Sequence, residues 1–140
     1  MEVTFWGTRG SIPVSGSKYA EFGGNTPCLQ ISLESTTDTV IFDSGSGVRE
    51  LGVRLIQTKA THSRIVHLFL THAHWDHIQG FPFFAPAFLP DFQLNISCTK
   101  DAKSILERQM QTPFFPVSLD MMGARRSFRL LQAGDVVAIA

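Results

Sequence analysis

The chain has 140 residues, 44% of them hydrophobic, with 12 basic and 12 acidic side chains and no net charge. That length bounds it to one domain with room for a real core. The neutral balance weighs against a broad nucleic-acid footprint, which needs a basic stripe, without excluding nucleic acid as a partner. No apolar run approaches the ~20 residues of a membrane span, and Met1-Glu2-Val3-Thr4-Phe5 carries no secretion signal, so the cytoplasm is the default.

Glu2 to Trp6 alternates polar and apolar residues and reads as a strand. Gly7-Thr8-Arg9-Gly10-Ser11-Ile12-Pro13 breaks it. This is either a plain turn or a loop whose free backbone amides and Arg9 face an anion. It is no Walker motif, because the lysine and its spacing are absent. Residues 14 to 27 are rich in Gly, Ser and Pro and read as a long loop ending at Gly23-Gly24-Asn25-Thr26-Pro27. Cys28 to Leu33 and Thr39 to Phe42 read as two strands joined by a polar turn. Cys28 and Cys98 lie far apart in the chain and read as small buried hydrophobes. Asp43 ends the second strand before Ser44-Gly45-Ser46-Gly47. It reads as a carboxylate behind metal-binding histidines, accepting their outer N–H, in preference to a helix cap. Val48, Leu51, Gly52, Leu55 and Ile56 follow helical spacing over 47–58. His62 falls in an exposed loop, and His67 is a strand residue without a catalytic task.

Ile65 to Leu70 is apolar enough for a strand covered on both faces. It runs into Thr71-His72-Ala73-His74-Trp75-Asp76-His77, a His-x-His-x-Asp-His cluster. Residues two apart on an emerging strand point to one side, so His72 and His74 can share an ion. Asp76 and His77 diverge in extended chain, but a helix or tight turn starting at Trp75 would swing both toward a second point. Such a nitrogen-rich site beside a mixed site suits Zn²⁺, with Mn²⁺ or Fe²⁺ acceptable at the second. Two ions about 3.5–4 Å apart can hold a hydroxide and clamp a phosphate or carbonyl oxygen.

Phe81-Pro82-Phe83-Phe84-Ala85-Pro86-Ala87-Phe88-Leu89-Pro90 cannot form a long regular helix. Its aromatics read as core and loop packing, ahead of a lip over the site or an oligomer contact. Phe92 to Cys98 reads as a strand. Asp101 caps a helix with Ala102, Ile105, Leu106 and Met110 on one face, and Thr112 to Val117 is a second aromatic loop. Phe128 to Leu131 and Val136 to Ile139 read as short strands around Gly134-Asp135, and Arg125, Arg126 and Arg129 as a solvated face. Alternating strands and amphipathic helices imply an α/β layered domain.

Thr71-His72-Ala73-His74-Trp75-Asp76-His77-Ile78-Gln79-Gly80 resembles the signature of the metallo-β-lactamase fold superfamily of hydrolases. Phe5-Trp6-Gly7-Thr8-Arg9-Gly10-Ser11 and Gly23-Gly24-Asn25-Thr26 resemble its phosphodiesterase-like branch, which includes the transfer-RNA 3′-end endonucleases and cyclic-phosphate phosphodiesterases. The resemblance covers essentially the whole chain. It implies the N-terminal half of an αββα sandwich with a mixed sheet, and two zinc ions in the complete fold. His72 and His74 would hold the first ion and Asp76 and His77 the second. Asp76 would also serve catalysis by orienting the hydroxide, and Thr8, Arg9 and Asn25 would contact substrate. The family's remaining ligands come from a second half, and no residues follow Ala140. The expectation is therefore a piece of a longer hydrolase, or two copies covering each other's exposed sheet layer. The expected activity is attack of the metal-held hydroxide on a small phosphodiester. A thioester or lactam hydrolase, or a metal-binding assembly module without catalysis, are the alternatives.

Overall fold

The structure, a computed structural model, describes residues 1–58 and 63–139; His62 lies outside the described residues. Six strands form one mixed sheet in chain order: β1 (Glu2–Gly7), β2 (Cys28–Ser32), β3 (Thr39–Phe42), β4 (Ile65–Leu70), β5 (Gln93–Cys98) and β6 (Arg125–Leu130). The short polar turn at 33–38 can only return the chain antiparallel, and β1, β2 and β3 pair that way. From β3 onward every neighbour is parallel, and each pair needs a crossover. Helix α1 (Val48–Gln57) lies in the first. The second carries a one-turn helix α2 (Trp75–Ile78) and the proline-broken turns at Phe81–Phe83 and Ala85–Phe88. Helix α3 (Ala102–Gln109) lies in the third. The Asp101 carboxylate accepts from the Ser104 amide at 3.2 Å and caps α3, as its spacing predicts. Among the described residues no helix is long and apolar enough to cross a membrane.

One face of the sheet is buried under the helices and crossovers. Ile41, Leu68 and Ile96 stand in register on that face and are all but inaccessible. Val48, Leu51 and Leu55 of α1, Ala102 and Leu106 of α3, and Phe81, Phe84 and Phe92 complete a single core against them. The other face carries no helix among the described residues and is covered only in part, where Val137 and Ala138 lie near His67, Ser97 and Arg129. Val66, Leu68 and Leu70 of β4 are buried while Ile65, His67 and Phe69 are only half-buried, so β4 is not covered on both faces as its apolar run suggests. On the same open face Phe42 stacks on Phe69, while Val3 is 41% and Phe5 68% exposed. His67 points there and meets the Asp38 carboxylate at 3.1 Å.

Three further expectations need correction. Strand β6 starts at Arg125, not Phe128, because the ladder with β5 runs unbroken from Gln93↔Arg125 to Cys98↔Leu130. Its arginines are not a simple solvated face either, since the Arg126 guanidinium donates to the carbonyls of Met122 and Ala124. Residues 136–139 form no strand. The chain turns at Gln132–Asp135, and its closest tie to β6 is Arg129 donating to the Val136 carbonyl at 3.4 Å, with no ladder partner for 136–139.

Both cysteines are free and buried. Burial, and then the Asp43 charge, push the Cys28 thiol up to about 12. The folded protein at pH 8 is therefore expected to leave Cys28 unmodified by iodoacetamide, and the urea-unfolded chain to react. Peptide mass mapping reads this directly. Rapid native alkylation of Cys28 would show that β2 does not bury it.

Candidate metal centre

The site sits where two adjacent parallel strands end. Phe42 pairs with Phe69, so the residues that follow, Asp43 after β3 and Thr71 after β4, emerge side by side. Ligand sites in open α/β sheets form at these carboxyl ends. Asp43 holds a left-handed backbone with φ 61°, a conformation aspartate tolerates better than most residues. Its amide still pairs with the Phe69 carbonyl at 2.9 Å. His74 is extended, and α2 starts at the next residue, which turns Asp76 and His77 back toward the strand end. Helix α2 is clamped onto the turn after β3: the Ser44 amide donates to the His77 carbonyl, and the Gly80 amide to the Ser44 carbonyl, each at 2.8 Å. The two backbones touch there. A side chain at Gly80 would overlap the Gly45 carbonyl, and one at Gly45 would overlap the Asp76 carbonyl.

Three imidazoles gather at this point. The His72 ring centre lies 4.4 Å from that of His74 and 4.0 Å from that of His77. Behind them the Asp43 carboxylate is nearly buried and fully used. It accepts from His77 Nδ1 at 2.8 Å, from the Thr71 amide at 2.8 Å and from the Thr71 hydroxyl at 2.9 Å. Because the one hydroxyl proton of Thr71 goes to Asp43, its Oγ1 accepts from His72 Nδ1 at 3.0 Å. Asp43 thus sets the tautomer of His77 directly and that of His72 through Thr71. Both rings keep Nε2 as a free acceptor.

Asp76 completes the cluster, with its Oδ2 3.6 Å from His77 Nε2. That oxygen also accepts the Ser11 amide at 2.8 Å. The Ser11 amide holds the Asp76 carboxyl below the usual carboxylate range, aided by the Asp76 amide and the His77 and His74 rings and opposed by burial. Thr71 and Ser11 are the functional neighbours that sequence reasoning misses. Ser11 acts through its backbone, at φ 73°, and nothing in a side-chain pattern signals that.

The other three candidates lie to one side. The Thr8 and Arg9 amides both donate to the Asn25 carbonyl, at 3.0 and 2.9 Å, so neither is free for an anion. The Arg9 guanidinium donates to the Ile12 carbonyl and lies 5.0 Å from the Tyr19 ring centre. Thr8 and Arg9 line a separate surface cavity of about 530 Å³ with Lys18, Tyr19 and Glu21. The Asn25 side chain accepts from the Ser46 hydroxyl at 3.0 Å and ties two loops together.

The donor chemistry fits a divalent ion: clustered imidazoles, a carboxylate beside them, and a buried acceptor on the far side. The side-chain arrangement is incomplete. The rings pack against one another at 73° and 50°, and among the described residues no three His, Cys, Asp or Glu groups are arranged to hold an ion.

The comparison with known families bears on this arrangement. Residues 23–90 match the metallo-beta-lactamase superfamily. That segment runs from the glycine loop through the histidine cluster to the end of the aromatic stretch. The mixed six-stranded α/β sheet is consistent with a metallo-beta-lactamase-like fold, as the resemblance implied. The chain is also similar to Ribonuclease Z of Staphylococcus aureus strains JH9 and N315 (31% identical) and of Staphylococcus carnosus strain TM300 (30%). Each similarity runs over 83 residues, 59% of this chain and 24% of the relative, so the matched part spans about a quarter of those proteins. No solved structure matches the chain at a significant level.

Proposed function

We propose that the chain is part of a metal-dependent hydrolase that cleaves phosphodiesters, with a nucleic-acid strand as substrate. The observation that carries this is the packing of the His72 ring 4.4 Å from His74 and 4.0 Å from His77, before a carboxylate that orients two of the three. His72 and His74 would hold one ion and Asp76 and His77 a second. Zinc is the best match for this nitrogen-rich set, and manganese or iron is acceptable at the second position. A bound ion supplies polarisation of a phosphoryl oxygen and a more acidic water. The chain's own residues do the rest. Asp43 and Thr71 keep the His77 and His72 protons on Nδ1, and the Ser11 amide fixes the position of the Asp76 carboxylate. The ribonuclease names of the relatives favour a phosphodiester over a thioester or lactam. They also favour nucleic acid more than the neutral net charge does, because a site for one or two nucleotides needs few cations.

Equilibrium dialysis against Zn²⁺ and turnover of bis(p-nitrophenyl) phosphate with Zn²⁺ or Mn²⁺ test this. At least one retained ion per chain is expected, with loss of the ion in His72→Ala. A full-length version that shows no turnover, with metal retention indifferent to His72 and Asp76, overturns the proposal. One observation favours a second reading, binding without catalysis: the incomplete convergence of the donors. Retained ions with no hydrolysis by a full-length protein would select it.

A further inference from the structure

Beside the histidine cluster, on the other side of α2, lies a cavity of about 480 Å³ lined mainly by apolar surface. Trp75 and Gln79, four residues apart on one side of α2, form one wall, while Asp76 and His77 face the cluster. Phe83, Phe114 and Phe115 also line the cavity. Phe83 and Phe115 meet edge to face at 5.7 Å. Trp75 is 60%, Phe83 57% and Phe114 77% exposed, so three aromatic rings offer free faces to whatever enters.

Two polar groups lining this cavity, the Gln109 carbonyl oxygen and the Arg108 guanidinium, have bonding capacity unused among the described residues. Gln109 is 9% exposed; its Nε2 donates to the Ile78 carbonyl at 2.9 Å, and its Oε1 is buried without a partner. The amide cannot be reversed, because Ile78 offers only an acceptor. An unpaired buried carbonyl asks for an N–H donor from a ligand. Arg108, the next residue, is exposed at the cavity rim and has no ion-pair partner among the described residues. Aromatic faces for stacking, one buried acceptor and one free guanidinium match a nucleobase joined to a phosphate. An acyl chain would fill the same space but leave Gln109 unsatisfied.

Resting on the phosphodiesterase reading, we propose that this cavity is a nucleobase subsite for the strand being cleaved. It takes a base with an exocyclic amino group, which stacks on Trp75 and Phe114 and donates to Gln109 Oε1, while Arg108 meets a neighbouring phosphate.

The test titrates the 140-residue chain with AMP, purine riboside 5′-monophosphate and ribose 5-phosphate, following tryptophan fluorescence. AMP is expected to bind about tenfold more tightly than ribose 5-phosphate, through stacking. It is expected to bind roughly fivefold more tightly than the purine analogue, which lacks the amino donor. Phe114→Ala and Arg108→Ala, both at exposed positions, should each weaken AMP by about fivefold or more. Equal affinity for AMP and ribose 5-phosphate overturns the subsite, and equal affinity for AMP and the purine analogue overturns the role of Gln109. Hydrolysis of bis(p-nitrophenyl) phosphate is measured on the same material. Nucleotide binding without hydrolysis by a full-length version removes the hydrolase reading and leaves the subsite; hydrolysis without nucleotide preference does the reverse.

Discussion

Asp43→Asn is expected to lower zinc affinity by about 10–100-fold while leaving the fold intact. The asparagine carbonyl can still accept the Thr71 amide, and asparagine tolerates the φ of 61° at this position. The other side-chain atom changes from an acceptor to an NH₂ donor facing His77 Nδ1 and the Thr71 hydroxyl. His77 Nδ1 must then accept, which moves the ring proton to Nε2 and removes the lone pair an ion needs. The Thr71 hydroxyl keeps the remaining carbonyl oxygen, 2.9 Å away, as its acceptor, so the His72 proton stays on Nδ1. One substitution therefore reverses the His77 tautomer without opening a cavity. Competition with a chromophoric chelator gives the affinity, and a urea titration gives the stability. Unchanged affinity would mean that Asp43 does not orient the ligands. A collapse in stability would mean that its main work is holding the turn.

How much of this was legible beforehand follows from the distances involved. The strand before the histidines, its emergence as a loop and a turn starting at Trp75 are local consequences of an apolar run followed by a polar cluster. Each appears where the spacing puts it. The cap at Asp101 is local too. Asp43 was legible as a carboxylate at a strand end, but its link to His77 depends on β3 and β4 being parallel neighbours, which no local pattern states. The Ser11 amide reaches Asp76 from 65 residues away in sequence and is a backbone contact, invisible to any reading of side-chain types. The 136–139 run failed for the opposite reason. Its β-branched, apolar composition favours a strand, but strand structure requires a ladder partner, and after the turn at Gln132–Asp135 the chain lies beside the sheet face at His67, Ser127 and Arg129 instead of pairing with the β6 edge.

The aromatic stretch after the motif contains both answers to the question its composition raises, and Phe81→Ala separates them. Phe81 and Phe84 are 0% and 1% exposed and belong to the core, whereas Phe83, between them, is 57% exposed at the nucleobase cavity. The alternation arises because Pro82 and Pro86 force short three-residue turns, which send successive rings to opposite sides. Phe81 follows Gly80, whose backbone is pressed against Gly45, so the chain there has no slack to close a void. Removing a fully buried phenylalanine from such a place is expected to cost about 3–5 kcal/mol. The same truncation at Phe83 should cost well under ~1 kcal/mol, as at other exposed sites. Urea midpoints at constant m-value read both changes. Because Phe81 directly follows Gly80, whose amide clamps the end of α2 to the turn after β3, its loss should also loosen the histidine cluster. Zinc affinity should therefore fall in Phe81→Ala and hold in Phe83→Ala. Equal destabilisation by the two variants would show that the stretch packs as one unit and that Phe83 is not a free wall of the cavity.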